Sequence, residues 1–380
     1  MKLYFVAGEA SGDSRGAELM RALHRSRPEL KFFGAGGAKM RELAGDDFFD
    51  WADHAVVGLW DVLRNYPYFK RQFARMLAAI CALQPHAVIL IDYPGFNLRL
   101  AKAVRRRLPS TKIIYYVSPQ VWAWNRGRIP RMAKTIDLMM SIFPFEPPLF
   151  ETHGLKSIFV GHPLVETLPP RNAWAPREER LIGLFPGSRH REVRKIFPIM
   201  IEAARALAKA EPDLRFEAAA ATDATAESMR ELLRAHGYEE SWCPVSTHAA
   251  HRLMQRAAAG MVSSGTATLE AALFGMPFVI LYRVAWLTWV IGKRLVVIEH
   301  IGMPNILAGR RIVPEFLQDQ AKPAHIAAEM LHLLRDANAR ETMQRDLASV
   351  SAKLGEPGAP QRAAEAVLDL LARAAESRAA

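Results

Sequence analysis

Short apolar runs alternate along the chain with stretches that repeat apolar residues at helical spacing. In the first half the runs are LYFVA (3–7), AVILI (87–91), IIYYV (113–117) and LMMSIF (138–143), and the helical stretches are 14–26, 97–107 and 127–134. Short apolar runs bounded by turn residues are typical of buried strands. Because these strands alternate with helices, the pattern predicts a parallel sheet that is covered by helices.

A segment rich in proline and charge, TLPPRNAWAPREER (167–180), lacks both periodicities and separates the two halves. The second half then resumes the alternation, with strands predicted in LIGLF (181–185), LRFEAAA (214–220), GMVSS (260–264) and PFVILY (277–282). We therefore predict an α/β protein of two Rossmann-like domains, 1–172 and 173–359, with parallel sheets facing across a cleft. A final helix, 360–380, is expected to pack back on the first domain.

Length and charge narrow the class of protein. A chain of 380 residues exceeds the size at which one hydrophobic core usually stops growing, which agrees with two domains. Fifty basic residues against thirty-nine acidic ones give a formal net charge of +11. That charge predicts an anionic partner, and nucleic acid, a membrane surface or a phosphorylated small molecule would all suit it.

Several features predict a cytoplasmic chain. The apolar run at 3–7 is shorter than a signal peptide requires. The most apolar stretch, 278–298, contains basic residues well before it reaches bilayer-spanning length, so we expect no transmembrane helix. The two cysteines, Cys81 and Cys243, fall in opposite halves without a metal-type spacing and are expected to be free thiols.

Two loops of the second half have the composition of phosphate-binding turns. PGSR (186–189) follows a predicted strand and ends in Arg189, whose guanidinium suits a diphosphate. SSGT (263–266) places Ser264, Gly265 and Thr266 before a helix that carries Glu270, where a carboxylate can accept the ribose hydroxyls. The alternative for PGSR is an ordinary turn with a solvated arginine. The alternative for Glu270 is a carboxylate that only complements the dipole of its helix.

A third polar segment lies at 301–318, IGMPNILAGRRIVPEFLQ. It contains Asn305, Glu315 and Gln318, and we predict a loop because it is too polar for a strand and too broken by proline for a helix. Loops of this kind often carry function, although a plain surface connection is an equal alternative.

Two strand-to-helix turns in the first half predict a second ligand site. The turn AGEASGD (7–13) contains Ser11 among small residues that allow close ligand approach, but it lacks the GxGxxG pattern of nicotinamide cofactors. Asp92 directly follows the apolar run 87–91, where a carboxylate can accept a proton from a sugar hydroxyl. The alternative for AGEASGD is a plain turn with Asp13 in the first turn of the helix. The alternative for Asp92 is a structural residue that caps the next helix.

Two aromatic segments carry further hypotheses. Trp122 and Trp124 precede basic residues, which suits sugar stacking beside a phosphate; RNA binding is disfavoured because no RNA-binding module accompanies them. The segment 55–73 resembles a membrane-interface patch, and 284–294 has a similar character, with core packing as the alternative for both. The residues assigned to the acyl chains and the membrane are Val56, Val57, Leu59, Trp60 and Leu63.

Taken in order, eight motifs resemble those of the lipid-A-disaccharide synthase family over nearly the whole chain. They are AGEASGD, DYPGFN, VSPQVWAW, GHPLVE, PGSR, SGTATLE, PNILAGR and PEFLQ. Phe185 and Met303 stand where the family pattern has leucines, which changes packing but no polar role. The resemblance implies a GT-B glycosyltransferase fold and inverting sugar transfer with neither metal nor cofactor.

The resemblance also implies the substrates. The donor would be UDP-2,3-diacylglucosamine and the acceptor 2,3-diacylglucosamine 1-phosphate, giving the β-1,6-linked disaccharide phosphate and UDP. The expected partners include the cytoplasmic face of the inner membrane as a peripheral contact and exclude nucleic acid, and the resemblance leaves a homodimer open.

Site residues are carried over by position. Asp92 would be the base on the acceptor 6-hydroxyl, with Ser11 nearby. Arg189, Ser264, Gly265, Thr266, Glu270, Asn305 and Gln318 would hold UDP. The nearest alternatives are a UDP-sugar 2-epimerase, which would not need the apolar patch, and another lipid-linked glucosaminyltransferase of the same fold; a non-catalytic sugar-binding protein ranks third.

Overall fold

The computed structural model describes residues 1–45, 48–51, 66–169, 174, 176–284 and 299–379. The chain divides into two compact units. The first unit comprises Met1–Thr167 together with Leu354–Ala380, and the second comprises Leu168–Lys353. The predicted division was 1–172 and 173–359. Residues 168–353 are thus an insertion in a unit that both flanking segments build.

The first unit is built on a seven-stranded parallel sheet of order β3-β2-β1-β4-β5-β6-β7. The strands are β1 (Lys2–Ala7), β2 (Lys31–Gly36), β3 (Phe48–Asp50), β4 (Ala87–Ile91), β5 (Lys112–Tyr116), β6 (Leu138–Ser141) and β7 (Ser157–Phe159). The helices are α1 (Ala10–Ser26), α2 (Ala38–Ala44), α3 (Tyr66–Leu83), α4 (Pro94–Arg107), α5 (Val121–Trp124), α6 (Ile129–Ala133), α7 (Glu146–Glu151) and, after the second unit, α15 (Ala359–Ala379).

The second unit is built on a six-stranded parallel sheet of order β10-β9-β8-β11-β12-β13. The strands are β8 (Glu178–Phe185), β9 (Arg215–Ala220), β10 (Val245–Thr247), β11 (Ala257–Ser263), β12 (Phe278–Tyr282) and β13 (Glu315–Leu317). The helices are α8 (His190–Ala210), α9 (Asp223–Ala235), α10 (Ala250–Arg256), α11 (Thr266–Leu273), α12 (Met303–Ala308), α13 (Pro323–Arg335) and α14 (Ala337–Ala352). Three short 3-10 turns, Arg126–Arg128, Pro163–Thr167 and Gln318–Gln320, complete the described elements of both units.

The central strands are buried on both faces, which explains their continuous apolar runs. Every residue of β4 is buried, and Leu3–Ala7 of β1 are buried as well. Helices therefore cover both faces of the sheet, as the alternating pattern predicted.

The strand order reverses at one point in each sheet. In the first unit the reversal lies between β1 and β4, and in the second it lies between β8 and β11. In open parallel sheets, ligands bind at the carboxyl ends of the strands beside such a point. The turns that follow these four strands are the AGEASGD, DYPGFN, PGSR and SGT motifs, so the fold places all four where binding sites form.

The prediction of an irregular loop at 301–318 is wrong. The structure forms α12 and β13 there. The polar side chains bond to each other inside the unit: the Asn305 amide donates to a Glu315 carboxylate oxygen at 2.7 Å, and Glu315 also accepts from the Gly302 amide at 2.9 Å. Mutual hydrogen bonding removes the desolvation cost that had argued against regular structure.

The helix α15 returns to the first unit and packs on α1. Glu166, in the turn Pro163–Thr167, accepts hydrogen bonds from the amides of Gly358 and Ala359, the latter at 2.8 Å. A carboxylate in this position satisfies free amides at the start of a helix and complements its dipole. Glu166 therefore fixes the point where the chain re-enters the first unit.

Candidate functional site

A cavity of about 370 Å³ opens in the second unit, where β8, β9 and β11 end. The PGSR and SSGT loops, α10 and α11 contribute to its walls. Five of the predicted UDP-binding residues line it: Arg189, Ser264, Gly265, Thr266 and Glu270. The structure therefore brings together two groups of side chains, at Arg189 and at 264–270, that are far apart in sequence.

The PGSR loop is held by its own helix. Gly187 has φ +111, a backbone conformation that residues with a Cβ rarely adopt, so the turn favours glycine. Arg189 is the N-cap of α8 and forms an ion pair with Glu192 at 3.0 Å. The Arg189 side chain is still 67% exposed, so its remaining guanidinium donors are accessible to an anion.

The SSGT loop presents the start of α11 to the cavity. Gly265, with φ +149, is the N-cap, and among the described residues no side chain caps it. The loop is anchored by the Ser264 amide, which donates to the carbonyl of Leu281 at 2.9 Å. An uncapped helix start with small residues around it offers main-chain donors and a positive dipole end to a phosphate.

Glu270 stands one turn further along α11 and has a partner that the sequence did not predict. Its carboxylate lies 3.2 Å from Nε2 of His251 on α10, and its side chain is 20% exposed. The hydrogen bond with Glu270 raises the pKa of His251, while partial burial acts in the opposite direction. No local motif links the two positions, because they meet only when α10 and α11 pack against each other.

In the first unit, Asp92 occupies a strained turn at the end of β4. Asp92 and Tyr93 both have φ +48, a conformation that costs energy in residues other than glycine. Two side chains hold the turn through the Asp92 carbonyl: the Tyr115 hydroxyl donates to it at 2.5 Å and the Asn97 amide at 2.8 Å. Such strain in a supported turn is characteristic of functional sites.

The Asp92 carboxyl group is partly buried. Burial raises its pKa, and the nearby positive charge of Arg15 on α1 partly offsets that effect. Among the described residues the carboxyl caps no helix, since the N-cap of α4 is Tyr93 without a side-chain cap. The structural alternative for Asp92 is therefore not supported, and Arg15 joins the site as a residue that the sequence analysis missed.

The chain is similar to known proteins over nearly its whole length. The sequence model described as lipid-A-disaccharide synthetase matches residues 3–369. The chain belongs to the lipid-A-disaccharide synthase family. It is 41% identical to the lipid-A-disaccharide synthase of Geobacter sulfurreducens, with 98% of each chain covered, and 38% identical to that of Anaeromyxobacter sp., with 97% of each covered.

Solved structures of low sequence identity share the fold. The chain is similar to UDP-GlcNAc 2-epimerase from Neisseria meningitidis bound to UDP-GlcNAc, with a TM-score of 0.62, 12% identity and coverage of 97% and 100%. It is also similar to MurG from Acinetobacter baumannii, with a TM-score of 0.58, 10% identity and coverage of 97% and 99%. These likenesses confirm the predicted GT-B fold of two parallel-sheet domains. The family match confirms the predicted glycosyltransferase activity.

One of the two UDP-binding residues expected in the 301–318 segment, Asn305, needs revision. Asn305 is fully buried, and both its donors and its oxygen are engaged: Nδ2 donates to Val313 and Glu315, and Oδ1 accepts from the amides of Ile312 and Val313. Its amide has no capacity left for a nucleotide, so Asn305 shapes the loop. Gln318 differs, because its buried Nε2 has no hydrogen-bond partner among the described residues and remains available as a donor.

The tryptophans of the VSPQVWAW motif have different environments. Trp122 is only 4% exposed and its indole donates to Glu146 at 3.0 Å, so the predicted sugar stacking on Trp122 is wrong. Burial raises the pKa of Glu146 to about 7. Trp124 is 43% exposed, with the Arg128 guanidinium 4.7 Å from its ring centre. Trp124 therefore keeps accessible surface for a ligand.

Ser11 lies in the first turn of α1 and is exposed. Asp13, two residues on, is buried; its carboxylate accepts from the amides of Gly37, Lys39 and Met40. The alternative of a structural role for Asp13 is thus supported, whereas Ser11 keeps a free surface beside the end of β1.

The predicted membrane residues Val56, Val57, Leu59, Trp60 and Leu63 lie outside the described residues, as do residues 285–294 of the second apolar segment. Among the described residues, no helix combines the length and apolar character needed to cross a bilayer. Within the same part of the chain, no group of three or more His, Cys, Asp or Glu residues is arranged to hold a metal ion.

Proposed function

We propose that this chain transfers 2,3-diacylglucosamine from UDP-2,3-diacylglucosamine to the 6-hydroxyl of 2,3-diacylglucosamine 1-phosphate. The bond between the anomeric carbon and the UDP oxygen breaks, a bond from the acceptor O6 to that carbon forms, and the hydroxyl proton passes to a protein base. The observation that carries the proposal is the cavity of the second unit, in which two anion-binding loops and Glu270 converge in a member of this family.

The second unit would bind the donor. The diphosphate would lie at the start of α11 and against Arg189, and Glu270 would accept from the ribose hydroxyls. The unpartnered Gln318 amide would donate to the nucleotide. When UDP leaves, negative charge grows on the diphosphate, and fixed main-chain donors together with Arg189 stabilise it without having to reorganise.

The first unit would activate the acceptor. Asp92 is the proposed base, because burial raises its pKa and makes its carboxylate a better proton acceptor than an exposed aspartate. The positive charge of Arg15 partly offsets the effect of burial and favours the carboxylate form. A carboxylate remains far weaker than an alkoxide, so proton transfer must accompany attack on the anomeric carbon. Ser11 and Trp124 are proposed to contact the acceptor.

We place the reaction at the cytoplasmic face of the inner membrane, as a peripheral contact. Both substrates carry acyl chains, and each buried methylene contributes about 0.8 kcal/mol. A surface Lys or Arg near anionic lipid contributes about 1 kcal/mol, so the acyl chains would dominate recruitment over the net charge of +11. Co-sedimentation with vesicles of neutral and of anionic lipid tests this: loss of binding in neutral vesicles would assign recruitment to charge instead.

The decisive experiment measures UDP release from UDP-2,3-diacylglucosamine, with and without the acylated acceptor. Wild type, Asp92→Asn and Asp92→Ala are compared, and Asp369→Asn serves as a matched control because Asp369 is exposed on α15 of the same unit. We expect release that depends on the acceptor, falls at least about a hundredfold in both Asp92 variants, and is unchanged in the control.

The outcomes separate the function from the assignment of the base. Release without acceptor would contradict the transfer reaction and favour epimerase-like chemistry on the donor alone. Full activity of Asp92→Asn would leave the reaction standing and move the base to another residue. Retained donor binding in the Asp92 variants is required for either conclusion.

A further inference from the structure

His251 and Glu270 form a pair at the wall of the proposed nucleotide cavity. Nε2 of His251 lies 3.2 Å from a Glu270 carboxylate oxygen. The imidazole also contacts the ring of Phe274, with 5.3 Å between ring centres, and Phe274 is 1% exposed. The imidazole of His251 thus lies between the buried Phe274 ring and the Glu270 carboxylate. Its contact with Glu270 restrains the position of that carboxylate.

Most of the other charged groups near this pair have partners of their own. Arg177 donates to the main-chain carbonyls of Met254 and Gln255 on α10 and of Phe274. Arg189 and Glu192 of α8, which line the same cavity, bond to each other. On α10 itself, Arg256 is bound to Glu178 and Glu217 at the starts of β8 and β9, and Arg252 is exposed. The remaining charged groups on β8 and β9 are Glu179, Arg180 and Arg215, of which Arg180 bonds to Glu211 and Arg215 to Glu178. The strand β11 and the rest of α11 carry no charge.

We infer that His251 is a positioning residue that makes nucleotide binding depend on pH, because in its cationic form it holds Glu270 and cancels that carboxylate's charge beside the bound diphosphate. The inference rests on the proposed nucleotide site. A neutral imidazole can still donate a hydrogen bond to Glu270, but it leaves one uncompensated negative charge in a cavity that must bind an anion. The sequence position of His251 is outside every motif that identified the family.

The direction of the pH dependence follows from the contact between His251 and Glu270. The hydrogen bond with Glu270 raises the pKa of His251 above its ordinary value of 6.5, so the cation persists toward neutral pH. A bound diphosphate raises that pKa further, and by reciprocity the protonated protein binds the diphosphate more tightly. Affinity therefore falls as pH rises through the pKa of His251. Because the His251 side chain is 39% exposed, we expect the change to be about fivefold, the lower end of couplings between linked sites.

The test is the dissociation constant of UDP at pH 6.0, 7.0 and 8.5 by calorimetry, for wild type, His251→Gln, His251→Arg and the control His325→Gln. His325 is an exposed histidine on α13 of the same unit. The terminal phosphate of UDP itself titrates near pH 6. The readout is therefore the ratio of each variant's constant to that of wild type at the same pH, in which the ligand's own titration cancels.

For His251→Gln we expect UDP binding about fivefold weaker than wild type at pH 6.0, and equal to it at 8.5. For His251→Arg we expect equality at pH 6.0 and binding about fivefold tighter at 8.5, since arginine stays charged. The control ratio should stay at one. A His251→Gln ratio that is the same at all three pH values would reduce His251 to a structural residue and overturn the inference. Wild type that binds no UDP at any pH would overturn the nucleotide site itself.

Discussion

The Tyr115 hydroxyl donates a hydrogen bond to the main-chain carbonyl of Asp92, at 2.5 Å. Tyr115 belongs to the strand beside β4 and is fully buried, so it supports the strained turn of the proposed base from within the sheet. The proposed base thus directly follows β4, and the side chain that supports its backbone lies in the neighbouring strand β5.

Removing that hydroxyl should affect turnover more than donor binding. Tyr115→Phe should lower the unfolding free energy by about 1 kcal/mol, the typical contribution of one hydrogen bond, and should lower kcat while the donor KM stays constant. Steady-state kinetics and chemical denaturation provide the measurements. Tyr116→Phe is the matched control, because the buried Tyr116 hydroxyl has no partner among the described residues. Equal loss of kcat in the control would argue against a specific support of Asp92.

Arg189 should contribute to the affinity for the diphosphate. Arg189→Ala should weaken UDP binding by about tenfold, since a hydrogen bond to a charged group contributes about 1.5 kcal/mol or more. High salt should reduce the difference, because the Arg189 side chain is exposed. Calorimetry at two salt concentrations checks both points. Arg205→Ala, which breaks only an i,i+3 pair with Glu202 on the same helix, should bind UDP like wild type.

Glu146 should make the stability of the first unit depend on pH. Burial raises its pKa from 4.5 to about 7, so the folded state holds a proton that the unfolded state has lost. The part of the unfolding free energy that depends on this proton is complete below pH 4.5 and is lost as pH rises through 7. It amounts to about 3 kcal/mol. The difference in unfolding free energy between wild type and Glu146→Gln should change by about that amount from pH 4.5 to 8.

Glu151→Gln provides the reference for that measurement, since Glu151 is exposed on the same helix. A difference between wild type and Glu146→Gln that stays constant with pH would mean that Glu146 is ionised in the folded protein throughout the range.

Asp13 should act on stability and not on nucleotide binding. Asp13→Ala leaves three amides without their acceptor, and each buried donor without a partner costs about 1–3 kcal/mol. We expect the unfolding free energy of the first unit to fall by about 3 kcal/mol or more and the UDP affinity of the second unit to stay constant. Thermal denaturation with and without UDP distinguishes the two. A loss of UDP affinity equal to that of Arg189→Ala would contradict this division.

The sequence predicted the central strands well because they are buried on both faces. The run 87–91 coincides with β4, and 113–117 is offset by one residue from β5. Short edge strands were harder to predict: β13 has three residues, and its polar Glu315 becomes compatible with burial only through its bonds to α12. That compensation comes from tertiary structure, which no local pattern records.

The site could be predicted as far as it follows from strand ends. PGSR, SSGT and Asp92 follow apolar runs, and the sheet topology then brings the first two to one cavity. The proximity of His251 to Glu270 and of Arg15 to Asp92 could not be predicted. Each of these basic residues lies on a helix that only tertiary packing brings close to the carboxylate. Trp122 was assigned to a ligand because sugars stack on indole rings, and Asn305 because the family resemblance places it at UDP, but burial commits both to the interior.

The cap that Glu166 places on α15 has a consequence during synthesis of the chain. The first unit needs α15 against α1, yet residues 168–353 are translated between them. The second unit can therefore finish folding on the ribosome while α1 still exposes the apolar surface that α15 will cover. Glu166 is synthesised before the second unit, so its carboxylate is present when α15 emerges and can accept from the amides at the start of that helix. The packing of α15 on α1 is then the last step in folding of the first unit.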